Sequence, residues 1–127
     1  MEFKYFTEKT DPLIKGLIDE LLFALDSARE KSGVGYRITD GLRTRAANKD
    51  PNAVKDSAHL SGKAADVDCN DGSDLYRMLY GILSYFCRIG IYVKFAPGSK
   101  TKLIPTHLHV DVDHTKPQKT MWIELER

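Results

Sequence analysis

The stretch Ser57-Ala58-His59-Leu60-Ser61-Gly62-Lys63-Ala64-Ala65-Asp66 decides how the chain folds around its polar residues. His59 and Asp66 are seven residues apart, so they cannot be neighbours on one helix face, where the spacing is three or four. They can converge if His59 lies in a loop that turns at Gly62 and leads into a strand. Because side chains alternate along a strand, Asp66 then points away from the apolar face that carries Val67. The stretch therefore predicts a loop, a turn and a strand with one polar face.

A second stretch with the same alternation is His-Leu-His-Val-Asp-Val-Asp, residues 107–113. Its polar positions share one face, namely His107, His109, Asp111 and Asp113. If this face lies beside His59 and Asp66, two kinds of ligand that suit Zn²⁺ come together, imidazole nitrogen and carboxylate oxygen. Three protein ligands leave a fourth position for water, as in a catalytic site. Alternation of this kind also occurs in any half-buried strand. The pattern alone is therefore also consistent with an ordinary strand that binds no metal.

The rest of the chain mixes helices and strands without a βαβ repeat. Apolar residues at helical spacing predict helices over residues 11–31 and 75–88, with Asp11 and Ser73 as N-caps. Short β-rich runs predict strands over residues 36–39, 64–69, 91–96, 106–113 and 121–126. We therefore expect one domain over residues 1–127 with an α+β fold, a small antiparallel sheet with helices packed on it. The polar residues 44–55 predict a long exposed loop.

Composition excludes several classes of protein. The 19 Lys+Arg nearly cancel the 18 Asp+Glu, which argues against binding to nucleic acid. No long uncharged apolar run is present, so we expect no membrane span. The N-terminus has no signal pattern, which predicts a chain made in the cytoplasm, and we expect a monomer. Cys69 and Cys87 are interpreted as buried thiols.

The spaced residues of the first stretch, Ser57, His59, Gly62, Ala64 and Asp66, followed by His109-Val110-Asp111, resemble the M15 zinc peptidases. These are D-alanyl-D-alanine carboxypeptidases and dipeptidases, and L-alanyl-D-glutamate endopeptidases of phage lysins. The resemblance extends over residues 36–113 and includes Gly90-Ile91-Tyr92 as the lead-in to the last ligand strand. It implies a hedgehog/D,D-peptidase-like fold, which is shared with the signalling domain of hedgehog proteins.

The resemblance also implies roles for individual residues. His59, Asp66 and His109 would be the zinc ligands. Arg43 would hold a substrate carboxylate or the oxyanion formed at the peptide carbonyl, since a guanidinium stays charged and offers a planar fork of donors. Ser57 would orient a ligand or contact the substrate backbone.

The chain departs from many relatives at the position three residues before the last zinc histidine. Those relatives carry a carboxylate there as general base, whereas this chain has Thr106, which cannot accept the proton. His107 is the nearest titratable substitute, with an ordinary imidazole pKa of about 6.5 suited to proton transfer. Asp111 and Asp113 share its face, and either remains an alternative as the base or as a group that orients an imidazole.

Together these features predict a zinc-dependent peptidase that hydrolyses stem peptides of bacterial peptidoglycan. It would act as a carboxypeptidase or as an endolysin-type endopeptidase, and a phage or prophage lysin would be released to the cell wall. The alternative is a catalytically inactive zinc-containing binding or structural module on the same fold, which the departure at Thr106 keeps open. The bond that is cleaved stays open.

Overall fold

The computed structural model describes residues 3–9, 11–41 and 58–126 of the chain. Within these ranges two α-helices are α1, Asp19–Ser32, and α2, Gly72–Ile82. Five strands are β1, Ile38–Asp40, β2, Ala64–Asp68, β3, Arg88–Phe95, β4, Leu103–Asp111, and β5, Thr120–Leu125. Two 3₁₀ turns, Pro12–Ile14 and Ala58–Ser61, complete the set. The α+β class is confirmed.

The five strands form one sheet in the order β1-β2-β4-β3-β5. The β1–β2, β2–β4 and β3–β4 pairs are antiparallel, but β5 pairs parallel to β3. The prediction of a purely antiparallel sheet is therefore wrong for β5. The reason is that β2 and β3 already occupy both edges of β4. The chain leaves β4 near the start of β3, crosses this end of the sheet through residues 112–119, and then runs along the free edge of β3 in the same direction as β3. Register places Thr120 beside Arg88 at this end of the sheet.

The helix expected over residues 11–31 is two elements with a break between them. Gly16 has φ +85°, and the Ile18 N–H donates to the Gly62 carbonyl at 3.0 Å instead of continuing a helix. Asp11 is the N-cap residue of the 3₁₀ turn Pro12–Ile14, as predicted, but it makes no side-chain cap hydrogen bond, and the N-cap of α1 is Ile18. Contact with the Gly62 turn thus outweighs the helical spacing of the apolar residues.

The second helix is shorter than predicted and has a different cap. It ends at Ile82, and β3 begins at Arg88, within the expected helix. The Asp71 carboxylate accepts from the Asp74 N–H at 2.8 Å, so Asp71 is the N-cap and not Ser73. Phe86 lies at a helical interval from Ile82 and is buried in the turn that follows, which explains why the pattern looked longer.

The hydrophobic core lies between the two helices and one face of the sheet. Leu25, Ile82 and Val110 are fully buried there. Cys69 is buried, and burial raises the pKa of its thiol to about 11. Cys87 is exposed, so the prediction of a buried thiol is wrong for it, and both cysteines are free. No helix in the described ranges has the length and apolar character needed to cross a bilayer.

The turn at Gly62 brings the loop of the first stretch against the segment before α1. Gly62 has φ +71°, and a Cβ atom there would lie 2.2 Å from the Gly16 carbonyl oxygen. Gly98 has a similar φ of +74° but open space around it. We expect Gly98→Ala to lower the free energy of unfolding by about 1–2 kcal/mol through backbone strain. Gly62→Ala should lower it by a further ~1–3 kcal/mol through overpacking.

Urea unfolding of the two variants measures this difference directly, because the two positions share a positive φ and differ in the contact. Equal midpoints for Gly62→Ala and Gly98→Ala would show that the approach of Gly16 does not constrain the turn.

Candidate metal centre

The pairing of β2 with β4 places Asp66 opposite His109, on the polar face of the sheet. The next polar pair along the two strands is Asp68 opposite His107. His59 reaches the same place from the 3₁₀ turn Ala58–Ser61, which is closed by the Lys63 N–H donating to the Ala58 carbonyl at 3.0 Å. The predicted loop, turn and strand therefore position His59 and Asp66, and β4 positions His109.

His59, Asp66 and His109 form a compact cluster. The Asp66 Oδ1 atom lies 3.3 Å from His59 Nε2 and 3.1 Å from His109 Nδ1. One ligand atom from each residue lies within 4.8 Å of the others. His59 is only 2% exposed, and the other two side chains are largely buried. The structure thus brings together the three residues that the sequence pairs as candidate ligands.

Each imidazole of the cluster is held through its second nitrogen. His59 Nδ1 donates to the Gly41 carbonyl at 2.8 Å, which leaves Nε2 facing Asp66. His109 Nε2 lies 2.8 Å from the Asp111 carboxylate, which leaves Nδ1 facing Asp66. A hydrogen bond to the second nitrogen is typical of histidines that ligate metals, because it fixes the tautomer and the ring orientation.

The surroundings of Asp66 favour the ionised form of its carboxyl group. Burial by itself would raise the pKa of Asp66, but hydrogen bonds and charge interactions with His109 and His59 outweigh it and hold that pKa well below its ordinary value. For His109, burial lowers the pKa, and the hydrogen bonds with Asp111 and Asp66 raise it overall. Two imidazole nitrogens and one ionised carboxylate form a donor set that fits Zn²⁺.

His107 borders this cluster. Its ring stacks on Tyr92, with centroids 4.3 Å apart. Its Nε2 atom is 4.0 Å from Asp66 Oδ2, while Nδ1 is 3.2 Å from Glu126 Oε1 and 3.1 Å from Thr106 Oγ1. A carboxylate that the sequence does not place here therefore contacts His107 from the end of β5.

The two aspartates predicted to share the face of His107 have other partners, and Asp113 lies beyond the end of β4 at Asp111. Asp111 is buried, and it contacts His109 and the Arg88 Nε–H at 2.9 Å. Asp113 accepts from the Thr115 N–H and hydroxyl at 3.1 and 2.6 Å, so its carboxylate holds a turn. The geometry favours Asp111 as a group that orients an imidazole.

Strand β5 contributes an aromatic side chain, Trp122, to the border of the site, and the sequence pattern does not reveal this. The Trp122 ring lies 5.5 Å from the His109 ring. It sits over Gly90, where a Cβ atom would be 2.7 Å from the indole. Arg88, Trp122 and Glu126 escape a reading of the sequence because they become neighbours only through the β3–β5 pairing. Gly90, flanked by apolar strand residues, is the one local signal of a close approach.

Arg43 and Ser57 lie outside the described residues. Their predicted roles, an oxyanion or carboxylate contact for Arg43 and a ligand or substrate contact for Ser57, stay predictions.

Comparison with known proteins identifies the family. The family model described as Peptidase M15 matches residues 3–94. This range includes His59 and Asp66 and ends before His107 and His109. A search of curated proteins and a search of solved structures each returned no match. The match covers most of the chain, and the chain belongs to the peptidase M15 family.

Proposed function

We propose that the protein is a zinc-dependent peptidase that hydrolyses peptide bonds in the stem peptides of bacterial peptidoglycan. The observation that carries the proposal is the convergence of His59, Asp66 and His109 on the polar face of the sheet. Family membership supports a peptidase. These residues would hold a Zn²⁺ ion, which would supply a Lewis acid for the peptide carbonyl and would lower the pKa of bound water to roughly 7.

His107 is the residue that we assign to proton transfer. The Nδ1–H of His107 donates to Thr106 Oγ1 at 3.1 Å, and the Glu126 carboxylate lies 3.2 Å from the same nitrogen. Nε2 therefore carries the lone pair and faces the cluster beside Asp66. Nε2 can take a proton from the attacking water and return it to the leaving amine. Thr106 donates its hydroxyl to the Tyr92 carbonyl and cannot perform this step.

The substrate contacts of the proposal rest on the family resemblance. Arg43 would bind a substrate carboxylate or the developing oxyanion, and Ser57 would contact the substrate backbone. Tyr92 and Trp122 form the side of the site nearest β5, where their rings contact His107 and His109. A chain that acts on the cell wall must reach it, which suits a lysin released from the cell.

The second candidate is a zinc-containing binding or structural module without turnover. Thr106, in place of the carboxylate of many relatives, is the observation that favours it. It differs from the peptidase in predicting metal uptake without product.

Removal of the metal tests the peptidase directly. We expect the zinc-loaded protein to release peptide fragments from purified peptidoglycan or a defined stem peptide, with mass spectrometry identifying the bond. A chelator should abolish release because the Lewis acid is lost, and added zinc should restore it. One zinc per chain with no fragment from any wall type would instead establish the inactive module.

A further inference from the structure

Arg88 is the first residue of β3, and its side chain is only 12% exposed. Its Nε–H donates to both carboxylate oxygens of Asp111, at 2.9 and 3.1 Å. Its Nη1 atom donates to the Pro117 carbonyl at 2.7 Å, and the guanidinium lies 5.2 Å from the Trp122 ring centroid. The contacts with Asp111, Pro117 and Trp122 therefore fix the guanidinium in one position.

Asp111 is almost completely buried, with 1% of its side chain exposed. Its Oδ2 atom contacts His109 Nε2 at 2.8 Å, and Oδ1 accepts from the Asp113 N–H at 3.1 Å. A buried carboxylate requires compensation by a charge and by hydrogen bonds. Arg88 supplies the positive charge, and its two contacts hold the Asp111 carboxylate in one orientation.

The fixed Asp111 carboxylate constrains the ring of His109. This ring has two nitrogens, of which one faces the cluster. Donation from Nε2 to Asp111 leaves Nδ1 towards Asp66 at 3.1 Å. If the Asp111 carboxylate could turn, the ring would lose the acceptor that fixes its tautomer and its orientation.

We propose that Arg88 is a positioning residue for the metal centre: through Asp111 it fixes His109 with Nδ1 directed at the site shared with His59 and Asp66. The inference rests on the metal site of the proposed function, but it does not depend on turnover. The proposal adds a residue of β3 that is not itself a candidate ligand and acts through the Asp111 side chain.

The test is zinc affinity, measured by competition with a chelator. Arg88→Met keeps an unbranched side chain of similar length and removes the donors, and we expect zinc to bind roughly 10–100-fold more weakly. Arg88→Lys keeps the charge and loses the Nε–H, so we expect an intermediate loss. The matched control is Arg37→Ala, because Arg37 also contacts an aspartate, Asp68, at 2.9 Å but is exposed and outside the cluster. The control should bind zinc as the wild type does.

Two further measurements separate positioning from a general loss of structure. The visible spectrum of the Co²⁺-loaded protein should change in Arg88→Met and stay unchanged in Arg37→Ala, because it reports the ligand geometry. In an Asp111→Asn background, Arg88→Met should weaken zinc binding by no more than about twofold, because the intermediary is already altered.

The inference is overturned if Arg88→Met and Arg88→Lys both keep zinc affinity within about twofold of the wild type, or if Arg88→Met has its full effect in the Asp111→Asn background. A wild-type protein that binds zinc without cleaving peptide overturns the proposed activity alone. A wild type that takes up no metal overturns both.

Discussion

Replacement of His109 by alanine should weaken zinc binding by roughly a hundredfold or more and abolish peptide hydrolysis. Structural zinc sites bind with about 10–16 kcal/mol over four ligands, so one ligand accounts for about 3 kcal/mol, or a hundredfold in affinity. His109 projects from the polar face of β4, while Leu108 and Val110 on the other face remain in the core. The variant should therefore fold and lose the metal. Elemental analysis after dialysis and chelator competition measure the effect.

His114→Ala is the matched control for this experiment. His114 is 67% exposed and contacts Glu20 of α1 at 2.6 Å, outside the cluster. It should keep one zinc per chain at the affinity of the wild type. A His109→Ala protein that also keeps that affinity would remove His109 from the ligand set and with it the proposed centre.

Replacement of His107 by alanine has the second large expected effect, and it should separate turnover from metal binding. We expect kcat to fall roughly 10²–10⁴-fold, the usual contribution of a positioned acid–base group. Zinc content should stay at the wild-type level, because His107 Nε2 lies 4.0 Å from Asp66 and outside the three-residue cluster. Initial rates on a defined stem peptide, with zinc measured on the same samples, give both readouts.

Glu126→Gln tests the same step from the partner side. It keeps the size of the side chain and an acceptor oxygen near His107 Nδ1 but removes the charge, so its loss of kcat should be smaller than that of His107→Ala. Unchanged kcat in His107→Ala would assign proton transfer to another group. Loss of zinc in that variant would make His107 a ligand instead.

The positions of the candidate ligands in the fold follow largely from local sequence patterns. Alternation in β2 and β4 assigns Asp66 and His109 to the polar face, because neighbouring side chains on a strand must point to opposite faces. The turn at Gly62 needs a positive φ, which glycine adopts without strain. These features are local, and the sequence contains them. The roles of Arg43 and Ser57 come from resemblance alone and stay predictions.

The boundaries of the helices were less predictable, since they depend on contacts with distant segments. Helical spacing over residues 11–31 hides the break at Gly16, where a hydrogen bond to Gly62 replaces one within the helix. In the same way, Phe86 continues the apolar pattern of α2 although it lies outside the helix, between α2 and β3.

The sequence by itself determined the α+β class, the family, and the two polar stretches that supply candidate metal ligands. Only the tertiary structure decided what surrounds them: Arg88 on Asp111, Trp122 against His109, and Glu126 on His107. The physical reason is that these partners come from β3 and β5, whose parallel pairing depends on which sheet edge is free. No local spacing encodes that choice.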